Sequence, residues 1–209
     1  MAPLMVGFDL DMTLADTRRG IAAVYDALAA ETGVSIDSAL ICTRLGPPLH
    51  VELANWYPVE HVPTMVTRFR ELYPEIAIPV TEPMAGAYEA VRSVREGGGE
   101  VMVVTAKNQR DAERTVRFLG LPVTVVVGAL WAAGKAVALK EHGAAVYVGD
   151  HTGDVDAAHA AGAVSVGVAS GPYDVAALRA YGADVVLPDL VAFPGWLGSR
   201  QERLCTGCT

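Results

Sequence analysis

Val6-Gly7-Phe8-Asp9-Leu10-Asp11-Met12-Thr13 decides how the chain is read, because a short apolar run ends there in two carboxylates and a hydroxyl. From Leu4 to Phe8 the apolar residues do not alternate with polar ones, which predicts a strand buried on both faces of a parallel sheet. Asp9 and Asp11, two residues apart, project to the same side of an extended chain and can face one crevice as the chain leaves the strand. A lone aspartate at such a place is ordinarily a cap or a turn residue. Two neighbouring anions repel unless a cation lies between them. Mg²⁺ suits this position, since it takes hard oxygen ligands and often only one or two carboxylates.

Working outward, Ile21, Val24, Tyr25 and Leu28 recur at helical spacing between Thr17 and Thr32, with Asp16 or Thr17 as cap and Gly33 as stop. Further helical segments are expected at about 48–57 and 59–73, with no strand up to about residue 79, so 17–79 reads as a small helical insert. Arg44 lies in this insert and carries a guanidinium able to hold an anion through two parallel hydrogen bonds, although charged side chains mostly face solvent.

After the insert, helices and buried strands alternate. Val101–Val104 stops at Thr105-Ala106-Lys107-Asn108, a strand-to-helix junction whose hydroxyl and free helix N–H groups could receive an anion. A third strand is expected at 123–127. Lys135 follows at the start of a helix, where a cation opposes the macrodipole at a cost of up to about 1 kcal/mol. A fourth strand, 145–148, ends in Gly149-Asp150-His151-Thr152-Gly153-Asp154, and Asp154 falls in a first helical turn where negative charge is favourable. His151 reads as a solvent-facing loop residue. Strands at 164–168 and 184–187 and a last helix from 189 toward Trp196 complete an α/β, Rossmann-like parallel sheet with helices on both faces. Sites in such sheets form at the carboxyl ends of the strands, where Asp9, Thr105 and Asp150 stand.

At 209 residues, with 52% hydrophobic residues and a net charge of −8, the chain can bury a core without staples and is a poor match for nucleic acid or an anionic membrane. No apolar run is long enough for a membrane span, and Asp9 and Asp11 interrupt the N-terminal one, which predicts a cytoplasmic protein. Cys42 is isolated, and Cys205 and Cys208 are expected in a loose tail. A dinucleotide-binding enzyme is excluded at the first turn, because Asp9 to Thr13 holds no Gly-x-Gly-x-x-Gly.

Asp9-x-Asp11-x-Thr13, Thr105 after the second core strand, Lys135, and Gly149-Asp150 with Asp154 four residues on occur in the order seen in the haloacid dehalogenase-like hydrolase superfamily, which the chain resembles from Leu4 to about Val168. The resemblance implies a core made of residues 1–16 and 80–209 and a helical cap, 17–79, inserted after the first strand. It implies a Mg²⁺-dependent phosphatase acting on a small phosphorylated metabolite through an aspartyl phosphate. Asp9 would be the nucleophile and Asp11 the acid and base. Asp9, Asp150 and the Asp11 carbonyl would hold the metal, Asp154 would support its shell, and Lys135 would neutralise the phosphate, with Lys107 as competitor. Thr13, Thr105, Ala106, Lys107 and Arg44 are the candidates for phosphate or substrate contacts. The nearest look is toward phosphoglycolate phosphatase-like members, acting as monomer or homodimer. A phosphomutase of the same superfamily and a non-catalytic phosphate-binding module are the alternatives.

Overall fold

The structure is a computed structural model that describes residues 3–206, with side chains described as far as residue 200. Its first strand, β1 (Met5–Phe8), leads through a tight turn to β2 (Ala15–Asp16), and four helices follow: α1 (Arg18–Thr32), α2 (Ser38–Cys42), α3 (Leu49–Leu53) and α4 (Val62–Ile76). A 3₁₀ turn at Ile78–Val80 brings the chain back to β3 (Glu82–Pro83). The remainder alternates as α5 (Ala87–Glu96), β4 (Glu100–Val104), α6 (Gln109–Phe118), β5 (Val125–Val127), α7 (Ala133–Glu141), β6 (Ala144–Gly149), α8 (Thr152–Ala161), β7 (Val164–Val168), α9 (Val175–Tyr181), β8 (Val185–Leu187) and α10 (Phe193–Thr206).

Six strands form one sheet in the order β5-β4-β1-β6-β7-β8, every pair parallel. The unalternating apolar runs follow from this, because each strand has a covered face on both sides. Val6, Phe8, Val101, Val103, Val146 and Val148 point into a core shared with α5, α6 and α10. Met102, Val104 and Tyr147 point the other way, against Leu139 of α7 and Ala157 and Ala158 of α8. The order places β1 in the middle and sends the chain outward first on one side of it, then on the other. The crevice at such a reversal opens beyond the carboxyl ends of the central strands, here β1 and β6.

The helices between β2 and β3 bury a separate apolar cluster that includes Val24, Tyr25, Leu28, Ile41, Leu53 and Tyr73. Gly33, at φ 72°, ends α1 in a left-handed turn whose N–H bonds to the Ala29 carbonyl. The two ends of this helical segment are tied side by side, since β2 and β3 pair antiparallel, Ala15 with Pro83 and Asp16 with Glu82.

Several local expectations change. The helix expected at 48–57 is helical only over Leu49–Leu53 and continues as single turns to Tyr57, and α2 was not anticipated. The third core strand starts at Val125, because Val123 closes a turn on the Leu121 carbonyl. The expected loose tail is corrected too: α10 runs past Trp196 to Thr206 and carries Cys205 on its backbone, while Cys208 lies outside the described residues.

Candidate active site

Beyond Phe8 the strand pairing continues for one residue, with the Asp9 N–H donating to the Val148 carbonyl at 2.8 Å. The chain then reverses sharply, and the N–H groups of Thr13, Leu14 and Ala15 all converge on the Leu10 carbonyl. The reversal forces Met12 to φ 62°, and the Ser170 hydroxyl holds the Met12 carbonyl at 2.6 Å. Asp9 thereby stays pinned at the strand end while Asp11 swings to a separate flank.

Asp9 meets Asp150, just past β6, and Asp154, in the first turn of α8; one carboxylate oxygen from each lies within 4.8 Å of the others, and all three residues are buried. The Lys135 ammonium sits among them, 3.0 Å from Asp9 Oδ1 and 2.7 Å from Asp154 Oδ1. This explains a lysine in the first turn of α7, where the helix dipole opposes it: two buried carboxylates outweigh the dipole. Asp154 is fully engaged, since the His151 N–H donates to its Oδ2 at 3.2 Å and the Tyr147 hydroxyl lies 3.2 Å from its Oδ1. Asp150 accepts from the Thr13 hydroxyl at 2.7 Å.

One lysine cannot neutralise three clustered carboxylates. Burial, with Asp154 and Asp11 adding to it and Lys135 pulling the other way, pushes the Asp9 carboxyl up to about 7. Burial and the charges of Asp9 and Asp154 raise Asp150 well above the carboxylate range. A set of hard carboxylate oxygens with negative charge in excess fits a small divalent cation such as Mg²⁺. The Asp11 carbonyl, two residues on from Asp9, accepts no hydrogen bond among the described residues.

The raised Asp9 carboxyl has a consequence for stability. In the unfolded chain the group titrates near 3.8, so between about pH 4 and about pH 7 the folded state holds a proton that the unfolded state has released. Its contribution is therefore fully present below pH 4 and is lost as the pH rises to about 7. A cation that binds the ionised carboxylates offsets this loss. The rise in Tm on adding Mg²⁺ is expected to be small at pH 5 and to grow toward pH 8; a pH-independent rise would contradict the cluster's role.

Asp11 faces Lys107, whose ammonium lies 3.0 Å from Asp11 Oδ1 and donates to the Tyr73 hydroxyl of α4 at 2.7 Å. Lys107 thus links the central loop to the helical segment and stands apart from the carboxylate cluster that Lys135 serves. Thr105, Ala106 and Lys107 line a cleft of about 300 Å³ between sheet and helices, together with Asp9, Asp11 and Arg44. The Thr105 hydroxyl accepts from the Lys107 N–H at 3.3 Å, which holds the turn before α6.

Two sequence expectations need correction. Thr13, a candidate for phosphate contact, is wholly buried with its hydroxyl given to Asp150, where it orients a carboxylate. His151 is not solvent-facing: its Nδ1 accepts from the Gly153 N–H at 3.0 Å, and its ring lies edge-on between Trp131 and Tyr173, with centroids 5.3 and 5.0 Å away. Arg44 reaches the cleft, but its guanidinium is bidentate to Glu52, at 3.1 and 2.7 Å.

Sequence reading passed over Tyr147, Ser170 and Gly171. The signal for Tyr147 was a hydroxyl in an otherwise aliphatic strand, which must find partners when buried; it donates to the Val104 carbonyl at 2.7 Å. Gly171 gave none, yet a Cβ there would overlap the Asp150 carboxylate. Gly171→Ala is expected to displace Asp150, weakening Mg²⁺ binding at least about tenfold and costing roughly 1–3 kcal/mol of stability. Calorimetric Mg²⁺ titration checks this, and unchanged affinity would separate Asp150 from the metal.

The comparisons with known proteins agree with this geometry. The model of the family described as haloacid dehalogenase-like hydrolase matches residues 6–168. Tyrosine-protein kinase PtkA of Mycobacterium tuberculosis (strain ATCC 25618 / H37Rv) is 29% identical over 189 residues, covering 83% of this chain, which spans only 65% of that kinase's length. Phosphoglycolate phosphatase of Haemophilus influenzae (strain 86-028NP) is 25% identical over 229 residues, covering 97% and 96% of the two chains. A haloacid dehalogenase-like hydrolase structure from Streptococcus pneumoniae superposes with a TM-score of 0.82 at 21% identity, covering 93% of this chain and 98% of the other, a likeness of fold. A family match that runs from the first core strand to the fifth takes in every carboxylate of the cluster and Lys135, and on that ground the chain belongs to the haloacid dehalogenase-like hydrolases.

Proposed function

We propose that the protein is a Mg²⁺-dependent phosphatase that hydrolyses a phosphate monoester through an aspartyl phosphate on Asp9. The observation that carries this reading is the convergence of Asp9, Lys135 and the Asp150–Asp154 pair, from three separate segments, at the carboxyl ends of β1 and β6. Bound Mg²⁺, held by Asp9, Asp150 and the Asp11 carbonyl, would supply positive charge to the phosphoryl oxygens.

Lys135 occupies Asp9 Oδ1, which leaves Oδ2 for phosphorus. As the new O–P bond forms, the bond from phosphorus to the ester oxygen breaks, and that oxygen takes a proton from Asp11. Asp11, now ionised, removes a proton from water; the water oxygen attacks phosphorus, and Asp9 is released with inorganic phosphate. Lys135 and the N–H groups and hydroxyl around Thr105 offset charge on the equatorial oxygens, where most catalysis of phosphoryl transfer arises. The helical segment, 17–79, acts as a cap whose inner wall chooses the ester, and Lys107 ties it to Asp11 through Tyr73.

The PtkA likeness supports a second reading, in which a tyrosyl hydroxyl takes the place of water as phosphoryl acceptor. A mutase would return the group to a sugar hydroxyl, and a non-catalytic module would transfer nothing. Phosphate release from a panel of monoesters with and without Mg²⁺, beside a transfer assay with ATP and a tyrosyl peptide, separates them. Mg²⁺-dependent phosphate release supports the phosphatase, and transfer to peptide without release supports the kinase.

A further inference from the structure

We infer that the ester's leaving group is a compact apolar alcohol, aromatic or branched, and not a short carboxylated one. The inference rests on the phosphatase reading of the same cleft and narrows its substrate. A short anionic ester such as phosphoglycolate places a second negative charge a few ångströms from phosphorus, and that charge needs a free cation inside the cleft. Two of the three Lys and Arg side chains that line it are already committed. Arg44 gives both arms of its guanidinium to Glu52, which the Trp56 indole N–H also holds at 2.9 Å. Lys107 is taken by Asp11 and by the Tyr73 hydroxyl. Lys135, held by Asp9 and Asp154, is spent on those carboxylates and on the phosphoryl group itself. Arg70 lines the cleft without an acidic partner among the described residues, and it is an exposed residue.

Between the reacting carboxylates and that rim, most of the wall is apolar. Ile21, Tyr25, Ile41 and Phe69 face inward from the helical segment, and Leu130 and Trp131 from the core. The Tyr25 and Phe69 rings lie 4.9 Å apart, centroid to centroid, as one aromatic surface. A volume of about 300 Å³ lies in the range of small-molecule clefts and takes a phosphoryl group with a single ring. An uncharged organic group against this wall sheds water from its apolar face, and each methylene buried multiplies affinity roughly fourfold. A carboxylate in the same place loses water and gains at most the solvent-exposed Arg70.

The test compares three esters that all leave as alkoxides, so that leaving-group reactivity does not decide the outcome: ethyl phosphate, phosphoglycolate and 2-phenylethyl phosphate. With the Mg²⁺-loaded protein, kcat/KM for 2-phenylethyl phosphate is expected to exceed that for ethyl phosphate by at least about tenfold, with phosphoglycolate no better than ethyl phosphate. In Glu52→Gln, which frees the Arg44 charge, phosphoglycolate is expected to gain at least several-fold relative to the aromatic ester. Turnover with phosphoglycolate preferred overturns the inference and leaves the phosphatase reading standing. Binding of two non-hydrolysable phosphonates, 2-phenylethylphosphonate and phosphonoacetate, covers the converse. No turnover of any ester, with the phenylethyl compound bound at least about tenfold more tightly, sinks the phosphatase and keeps the ligand class; equal or reversed affinities overturn the class itself.

Discussion

Asp9→Asn is expected to lower phosphate release by at least about 10⁴-fold while raising the Tm of the metal-free protein at neutral pH. The two effects share one cause. The carboxylate oxygen that would bond to phosphorus is held in a buried cluster beside Asp150 and Asp154, where burial and like charge push its proton affinity up. An amide cannot form the covalent intermediate, so activity goes. It also removes one of three mutually repelling anions, and Lys135 keeps Asp154 as its partner at 2.7 Å. The Tm gain amounts to roughly 2–4 °C for each kcal/mol of relieved repulsion in a chain of this size. Kinetics with Mg²⁺ and thermal melts without it read the two effects separately. A variant that kept substantial Mg²⁺-dependent turnover would remove Asp9 as nucleophile, and one that melted lower would remove the repulsion argument.

Lys135→Met is expected to be the most damaging change to stability in the core. It leaves Asp9 and Asp154 buried without their shared counter-ion, and breaking a buried pair in this way costs about 3–5 kcal/mol. Phosphate release should fall at least about 100-fold as well, because the same ammonium offsets charge on the phosphoryl group. The stability loss is expected to shrink at low pH, where the stranded carboxylates take up protons, and to be partly recovered in the double variant with Asp9→Asn, since contacting residues are not additive. Equal Tm for Lys135→Met and the parent at pH 7 would show that the carboxylates are paid for elsewhere.

The parts of this molecule that could be read from its sequence are those written into one segment at a time. An apolar run without alternation means a strand covered on both faces, and β1, β4, β6 and β7 lie where such runs predict them. The ends of β1, β4 and β6 could be marked as one rim, because parallel strands share a direction. Residues whose meaning lies in a partner far along the chain could not be read. Tyr73 is an ordinary apolar-face residue of α4 until Lys107, 34 residues on, is found at its hydroxyl. Gly171 matters only because the Asp150 carboxylate fills the space where its Cβ would be. Arg44 reads from sequence as either a solvated side chain or an anion binder, and neither reading contains Glu52, eight residues on, which takes its guanidinium. His151 looked like loop because a histidine cap on a helix is unusual, and its two flanking rings come from distant loops.

The phosphatase reading depends on a phosphoryl group passing through one carboxylate. The most direct measurement is to stop the reaction in acid during steady turnover of a hydrolysed ester and locate the phosphoryl group on the digested protein by mass spectrometry. A phosphoryl group on Asp9, dependent on Mg²⁺ and lost in Asp9→Asn, is the expected result. Turnover with no phosphorylated protein, or with the group on any other residue, would contradict the account.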